Sequence, residues 1–431
     1  MDGIPSRLLQ EAAPEIALPL ATIFNYSMQS GVLPDAWKSA KVTPIYKDGS
    51  VLEASNYRPI SVLPVCLKVF EKIIHQQLYS YLTSNNLLSI YQSGFRPSHS
   101  TETALIDVTD YILDNTQKGL LTGVMFLDLK KAFDTVDIPL MLCRLEALGI
   151  KNTELLWFQN YLTDRKQKVS INGQVSDPLP INYGVPQGSV LGPLLFIVYI
   201  NDLQHQIKHS KITLYADDTA IFFAAKDIKI IQKRLQEDLS LAHSWLGLSK
   251  LTLNTSKTKC MVFGSRQRLS HGNELKISID NKQLEQVDSF KYLGVWFDST
   301  LTWSTHVSNA CSKISQRLGV IGRIRSCLPQ ETAKMLVQAM ILPVFDYGDV
   351  VWSSCSNTLL DRLQRLHNRA GKLILKCPFR TASVEVRKQL HWTSIRDRQN
   401  FHICNMTYKC FNNLVPPYLQ NSDYMHPKGC T

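Results

Sequence analysis

Two adjacent carboxylates, Asp217 and Asp218, sit in KITLYADDTAIFFAA between two runs of strand-forming residues, which places them at the tip of a tight hairpin. A turn explains such a pair cheaply when it stands alone. A third carboxylate, Asp128 in GVMFLDLKKAFDTVD, ends an apolar strand whose Val124, Phe126 and Leu127 must be buried. A charge there needs a salt bridge, a hydrogen-bond network or a metal ion. Two strands presenting acids at adjacent ends can hold two Mg2+ ions, since hard divalent cations take oxygen ligands and keep positions for substrate phosphates. Ions roughly 4 Å apart activate an attacking oxygen and stabilise a leaving one. A further segment, NYGVPQGSVLGPLLFIVYIND, brackets Gln187 with Gly184, Pro186, Gly188, Gly192 and Pro193 before a helix that is apolar nearly all round. Pro193 suits the first turn of that helix. Gly188 permits backbone approach to a flat ligand such as a base pair, or simply serves a loop that needs glycines.

Other chemistries find little support. No Ser-His-Asp or Cys-His arrangement suggests a covalent intermediate, and the eleven His are scattered without metal-ligand spacing. His402, Cys404 and Cys410 come nearest to a zinc cluster, at a spacing that fits no common site.

The elements that must position these groups alternate in type. Residues 16–28 read as helix, Val42 and Ile45 as a short strand before an Asp48-Gly49 turn, and residues 68–82 as an amphipathic helix. Another helix begins near Thr101 as N-cap, with Leu105, Val108 and Ile112 on one face. Strand signals dominate over 121–136 and 212–223, which predicts an α+β arrangement. Beyond residue 300 the pattern is almost wholly helical, with Val307, Ala310, Ile314, Leu318, Ile321, Ile324 and Leu328 in steps of 3 or 4, and Leu359, Leu363, Leu366, Ala370 and Leu373 likewise. On this second helix Arg362, Arg365, Arg369, Lys372 and Lys376 form a parallel basic stripe. It can lie along a phosphate backbone or be a solvated face.

The 431 residues, with 44% hydrophobic and 19% charged, predict an ordinary globular core in two to four folding units. Residues 300–431 hold 17 Lys and Arg against 7 Asp and Glu, so nearly all of the +11 net charge is C-terminal, which favours a polyanionic partner. The longest apolar run, around 190–200, falls far short of the ~20 residues of a membrane span. The N-terminus has no secretory pattern, and ten Cys without a CxxC pair predict reduced thiols, so no membrane partner and an intracellular place are expected.

Together, and in this order, the segments resemble the reverse transcriptase of non-long-terminal-repeat (LINE-type) retrotransposons, in particular the jockey-like elements. FLDLKKAFDTVD and LYADDTAIF resemble the two catalytic blocks, and GVPQGSVLGPLLF the template-handling block. NYRPISVLPVCLKVFEKII and YQSGFRPSHSTETAL are similar to the fingers blocks, LTLNTSKTKCMVFG to the block after the catalytic hairpin, and FKYLGVWFD to the primer grip. The resemblance implies a right-hand polymerase: an N-terminal helical segment 1–40, fingers 41–120, palm 121–300, and a helical thumb with extension 301–431.

It further implies RNA-directed DNA synthesis, with an RNA template, a DNA primer and dNTPs as partners and two Mg2+ ions as cofactor, for which Mn2+ can substitute. Asp128, Asp217 and Asp218 would hold the metals, and Lys257, with Lys259 as rival, would protonate pyrophosphate. Phe133 would exclude a ribose 2′-OH, Gln187 and Gly188 would line the template and nascent pair, and Arg58 and Arg96 would grasp the triphosphate. Tyr292, Leu293 and Gly294 would hold the primer. Elements of this family usually carry an endonuclease before the polymerase, and nothing before residue 30 resembles one. The Met1 start and the C-terminal HPKGCT suggest a fragment or degraded copy, while the acidic positions are intact. A noncatalytic nucleic-acid-binding copy is the alternative from another class, and a group II intron enzyme a third reading. Action at chromosomal DNA would place the protein in the nucleus, with the cytoplasm as the other location.

Overall fold

Seven consecutive buried residues, Leu121–Leu127, form the middle strand of a five-stranded sheet in the computed structural model, which describes residues 5–270, 272–378 and 380–420. Met1 and the HPKGCT terminus, where the sequence suggested a fragment, lie outside the described residues. The chain divides into two units, each assembled from separated stretches. One takes the described residues up to Phe95, with Asp128–Lys208 and Asp238–Asn254; the other takes Arg96–Leu127, His209–Glu237 and the described residues from Thr255.

In the second unit Leu121–Leu127 pairs antiparallel with Asp218–Ala225 on one side, Leu127 opposite Thr219, and with Lys259–Phe263 on the other. Val124 and Phe126 point into a core shared with Leu105, Val108 and Ile112, which explains a continuous apolar run: both faces of this strand are covered. On the opposite face Gly123 admits Ile231, whose Cγ2 would lie 2.5 Å from any added Cβ. The strand expected over 121–136 stops at Leu127. Lys130 and Lys131 cannot enter the sheet interior, Lys131 takes φ +46°, and Asp137 caps the next helix by accepting the Leu140 N–H at 3.0 Å. The helix expected from a Thr101 cap is capped one residue earlier. Ser100 accepts from the Thr103 N–H at 3.1 Å and Thr103 Oγ1 accepts from the Ser100 N–H at 2.9 Å, closing a capping box for Thr101–Gln117.

The C-terminal stretch is helical as expected, with Ser304–Ile324, Gln330–Met340, Asn357–Leu375, Ser383–Leu390 and Ile395–Phe411 as its main helices. The buried face of Asn357–Leu375 is rotated by about one residue from the expected one, onto Leu360, Leu363, His367, Ala370, Gly371 and Ile374. Gly371 causes this: a Cβ there would meet Val386 at 2.7 Å, so the helix turns its smallest residue toward Ser383–Leu390, while Leu359, Leu366 and Leu373 pack at the edge.

Two histidines buried in this core make it acid-sensitive. Burial lowers His306 and His367 from 6.5 to about 4, helped at His306 by Lys291 and at His367 by Arg398 and Arg387. His306 Nδ1 accepts the Trp296 N–H at 3.3 Å, a bond that only the neutral ring can make. Each folded-state value lies below the unfolded one, so the stability these groups contribute is complete above pH 6.5 and is lost as pH falls toward 4. Taking the unit from pH 7 to pH 5 should cost on the order of 2 kcal/mol per histidine. Urea unfolding at the two pH values, for wild type and His367→Gln, checks this; an equal slope in both proteins would refute it for His367.

In the first unit the sheet runs Tyr57–Val62, Ser39–Tyr46, Arg165–Ile171, Gln174–Val175, with Leu179–Ile181 also pairing to Arg165–Ile171. Its polar keystone is Glu71, fully buried on the helix Val65–Ser84, which accepts from Tyr161 Oη and from the Val190 N–H, both at 2.7 Å. Burial pushes the Glu71 carboxyl up, against those two bonds and the nearby Arg165.

Candidate active site

The paired acids do stand on a tight hairpin. Lys211–Tyr215 and Asp218–Ala225 are joined by Ala216 and Asp217 alone, with Tyr215 opposite Asp218. Asp217 is half-buried in the turn, and Asp218 is the exposed first residue of the returning strand. Ala216 takes φ +55°, where an L side chain is strained and Gly or Asn is usual. The tip is therefore held by the long, buried pairing of its strands against a local cost of roughly 1–2 kcal/mol.

Asp128 is the next residue in the chain after Leu127 and is half-buried. Among its partners is Asn254, a residue that no sequence pattern singles out. Asn254 donates from Nδ2 to Asp128 Oδ2 at 2.8 Å and from its backbone N–H to Asp128 O at 2.7 Å, while Lys130 N–H bonds Thr252 O at 2.9 Å. Asn254 lies in LTLNTSKTKCMVFG, but nothing in spacing marks an Asn as the orienting group of a carboxylate 126 residues away. Of the two lysines in that block, Lys259 is committed to Glu285 at 2.6 Å and to Ser256 O at 2.7 Å, whereas Lys257 is exposed in a turn.

Phe133 is half-buried, its ring stacked on Phe196 at 4.3 Å and edge-on to Phe95 at 6.1 Å. Two aromatic neighbours fix the ring while leaving part of it accessible. Beside it Asp134 accepts from Gln187 Nε2 at 2.8 Å; burial pushes the Asp134 carboxyl up and this bond opposes the shift. The Gln187 amide is thereby oriented, and its backbone O takes the Ser61 N–H at 2.7 Å. Gly188 has φ +110°, and a Cβ on it would lie 2.6 Å from Ser61 O. The close approach at this glycine is to the strand Tyr57–Val62.

Arg58 is exposed on that strand, in the first unit; Arg96 is half-buried and belongs to the second. Tyr292, Leu293 and Gly294 form the bend of a hairpin, Leu293 at φ +43° and Gly294 at φ +87°. Tyr292 is 3% exposed and packs on Phe126 at 5.1 Å, so its ring anchors the hairpin to the core instead of presenting itself to a strand of nucleic acid. Tyr347 seals the same turn, its Oη donating to Leu293 O at 2.7 Å, and Gly294 is required because a Cβ would strike the Tyr347 ring. Arg362, Arg365 and Arg369 are exposed and Lys372 half-buried on the side of their helix away from its core residues, whereas Lys376, expected on the same stripe, is the exposed C-cap at φ +51° because the helix ends at Leu375.

Asp346, Asp349 and His402, which no ligand spacing in the sequence reveals, bring ligand atoms within 4.8 Å of one another. His402 does not join Cys404, which is exposed.

Residues 45–297 match the family model Reverse transcriptase (RNA-dependent DNA polymerase). The chain belongs to the reverse transcriptase family, and so to the α+β right-hand polymerase class. Among its relatives are the probable RNA-directed DNA polymerase from transposon BS and the RNA-directed DNA polymerase from mobile element jockey, both of Drosophila melanogaster. Each is 28% identical, over 93% and 92% of this chain. The resemblance to jockey-like, non-long-terminal-repeat enzymes therefore holds. The chain spans 45% and 44% of the length of these two relatives. Apo telomerase from Candida Tropicalis is similar with a TM-score of 0.49 and 14% identity, covering 87% of this chain and 64% of that one. Reverse transcriptases depend in general on a divalent metal and use an RNA template. No helix of the described residues is long and apolar enough to cross a membrane.

Proposed function

We propose that this chain is an RNA-directed DNA polymerase that adds dNTPs to a primer 3′-OH, with Asp128, Asp217 and Asp218 as ligands of two Mg2+ ions. The observation that carries the reading is the family match over 45–297, which contains all three acids, in order, within intact blocks. An all-carboxylate donor set fits a hard cation that keeps open positions for phosphate. When bound, such ions would lower the pKa of the primer hydroxyl and neutralise charge on the leaving pyrophosphate.

The chain's own residues supply positioning. Asn254 fixes the Asp128 carboxylate, and the Asp134 bond turns the Gln187 amide toward a template base. Phe133, held by Phe196, blocks the space of a 2′-OH. Lys257 serves as proton donor to pyrophosphate, since Lys259 is tied to Glu285. Arg58 and Arg96 meet the triphosphate, and Leu293 with Gly294 supports the primer. We assign 41–120 to fingers, 121–300 to palm and 301–431 to thumb and extension, with action in the nucleus. RNA-templated primer extension tests the reading, and Phe133→Ala refines it: ribonucleotides should then be accepted. Unchanged sugar discrimination would remove Phe133 from this role.

The exposed stripe of Arg362, Arg365 and Arg369 is assigned to the primer-template backbone. Reversing these three charges to Glu should weaken binding and lower the salt slope by about 1 for each phosphate no longer neutralised. Filter binding across a salt series reads it; identical affinity at every salt concentration would leave the stripe a solvated face.

A further inference from the structure

In the second unit the short helix Leu342–Asp346, the turn after it, the helix Ile395–Phe411 and the first turn of Thr101–Gln117 line a cavity of about 210 Å³. Glu102, Asp346, Asp349, His402 and Lys409 face it. Asp349 is 3% exposed, and its two oxygens are treated differently. Oδ2 lies 2.7 Å from His402 Nδ1, whereas Oδ1 is buried and has no hydrogen-bond partner among the described residues. A buried carboxylate oxygen left unsatisfied is costly, and an ion is one of the few groups that compensates it.

The surroundings are those of a metal centre. His402 Nδ1 and Asp349 Oδ2 face each other at 2.7 Å, so an ion taken there would replace the proton they share and be held by an imidazole nitrogen beside a carboxylate. Asp346 is fixed by Arg398 through both oxygens, at 2.9 and 2.5 Å. Three carboxylates, Glu102, Asp346 and Asp349, meet two permanent cations, Arg398 and Lys409, so the cavity retains negative charge. We infer that Asp346, Asp349 and His402 form a binding site for a divalent transition-metal ion, zinc foremost. An imidazole beside carboxylates suits Zn2+, whereas Mg2+ prefers oxygen ligands and retained water. Asp349 and His402 are 53 residues apart, so a bound ion would cross-link the turn after Leu342–Asp346 to the helix Ile395–Phe411. This site is independent of the polymerase reading.

The test uses the full chain purified without a polyhistidine tag and stripped with chelator. Zn2+ is titrated in while its stoichiometry and the unfolding temperature are followed, with Mg2+ as comparison. One Zn2+ per chain and a saturable rise in Tm, absent with Mg2+, are expected. Asp349→Asn and His402→Gln should each weaken Zn2+ about 10–100-fold, and Cys404→Ser should leave it unchanged. A folded wild type with no saturable Zn2+ binding would overturn the site. So would binding that survives both ligand substitutions or disappears with Cys404→Ser.

Discussion

Asp217→Asn should lower nucleotide addition by at least ~10³-fold, equivalent to about 4 kcal/mol of transition-state stabilisation, while leaving primer-template affinity unchanged or slightly improved. Under the proposed assignment the two effects separate, because the carboxylate would act on metal and not on nucleic acid. Losing it removes a ligand from the reacting centre and also removes a negative charge that repels phosphate. The substitution is isosteric at a half-buried turn position, and the strained Ala216 beside it is held by paired strands, so the hairpin should persist. Single-turnover incorporation together with equilibrium binding reads both quantities. Turnover within tenfold of wild type would move the metal site away from this hairpin.

The second large effect concerns stability. Glu71→Ala should destabilise the protein by about 3–5 kcal/mol, because it leaves the buried Tyr161 hydroxyl and the half-buried Val190 N–H without their acceptor and removes the carboxylate charge nearest the buried Arg165 guanidinium. Glu71→Gln should cost only ~1 kcal/mol, since an amide can accept from Val190 and pair with Tyr161 while losing the charge. The sign with pH distinguishes the two further. The folded-state carboxyl is raised above 4.5, so its contribution is complete below that value and declines as pH rises through the folded-state value. Gln has no such slope. Urea midpoints from pH 4 to 8 for the three proteins check this, and an alanine variant within ~1 kcal/mol of wild type would contradict it. Val190 immediately precedes the helix Leu191–Ile200, so the loss would loosen the loop carrying Gln187 and Gly188 as well.

How much of this could be read from the sequence depends on the physical range of each signal. The hairpin was legible because two adjacent acids between two apolar runs leave a chain of alternating pairing no other place for them. The helices beyond residue 300 were legible because burial repeats every 3 or 4 residues. Their exact faces were not: Gly371 rotates its helix by packing against Val386, which period alone cannot reveal. The strand end at Leu127 was overrun for a similar reason, because Val136 continues an apolar pattern after the chain has already left the sheet.

Long-range polar partners were the least visible. Asn254 with Asp128, Gln187 with Asp134 and His402 with Asp349 are each joined across at least 53 residues, and such bonds leave no periodic trace. The basic stripe shows the converse limit. Its exposure was readable from the heptad-like spacing, whereas its partner rests on chemistry that exposure alone does not supply.

The polymerase reading is tested most directly by incubating the purified chain with an RNA template, an annealed DNA primer, dNTPs and Mg2+, and following the primer length. The account predicts stepwise extension that follows the template sequence, requires the divalent ion and stops in Asp217→Asn. A folded wild type that binds the primer-template and adds no nucleotide with either Mg2+ or Mn2+ would contradict it and leave a nucleic-acid-binding protein in its place.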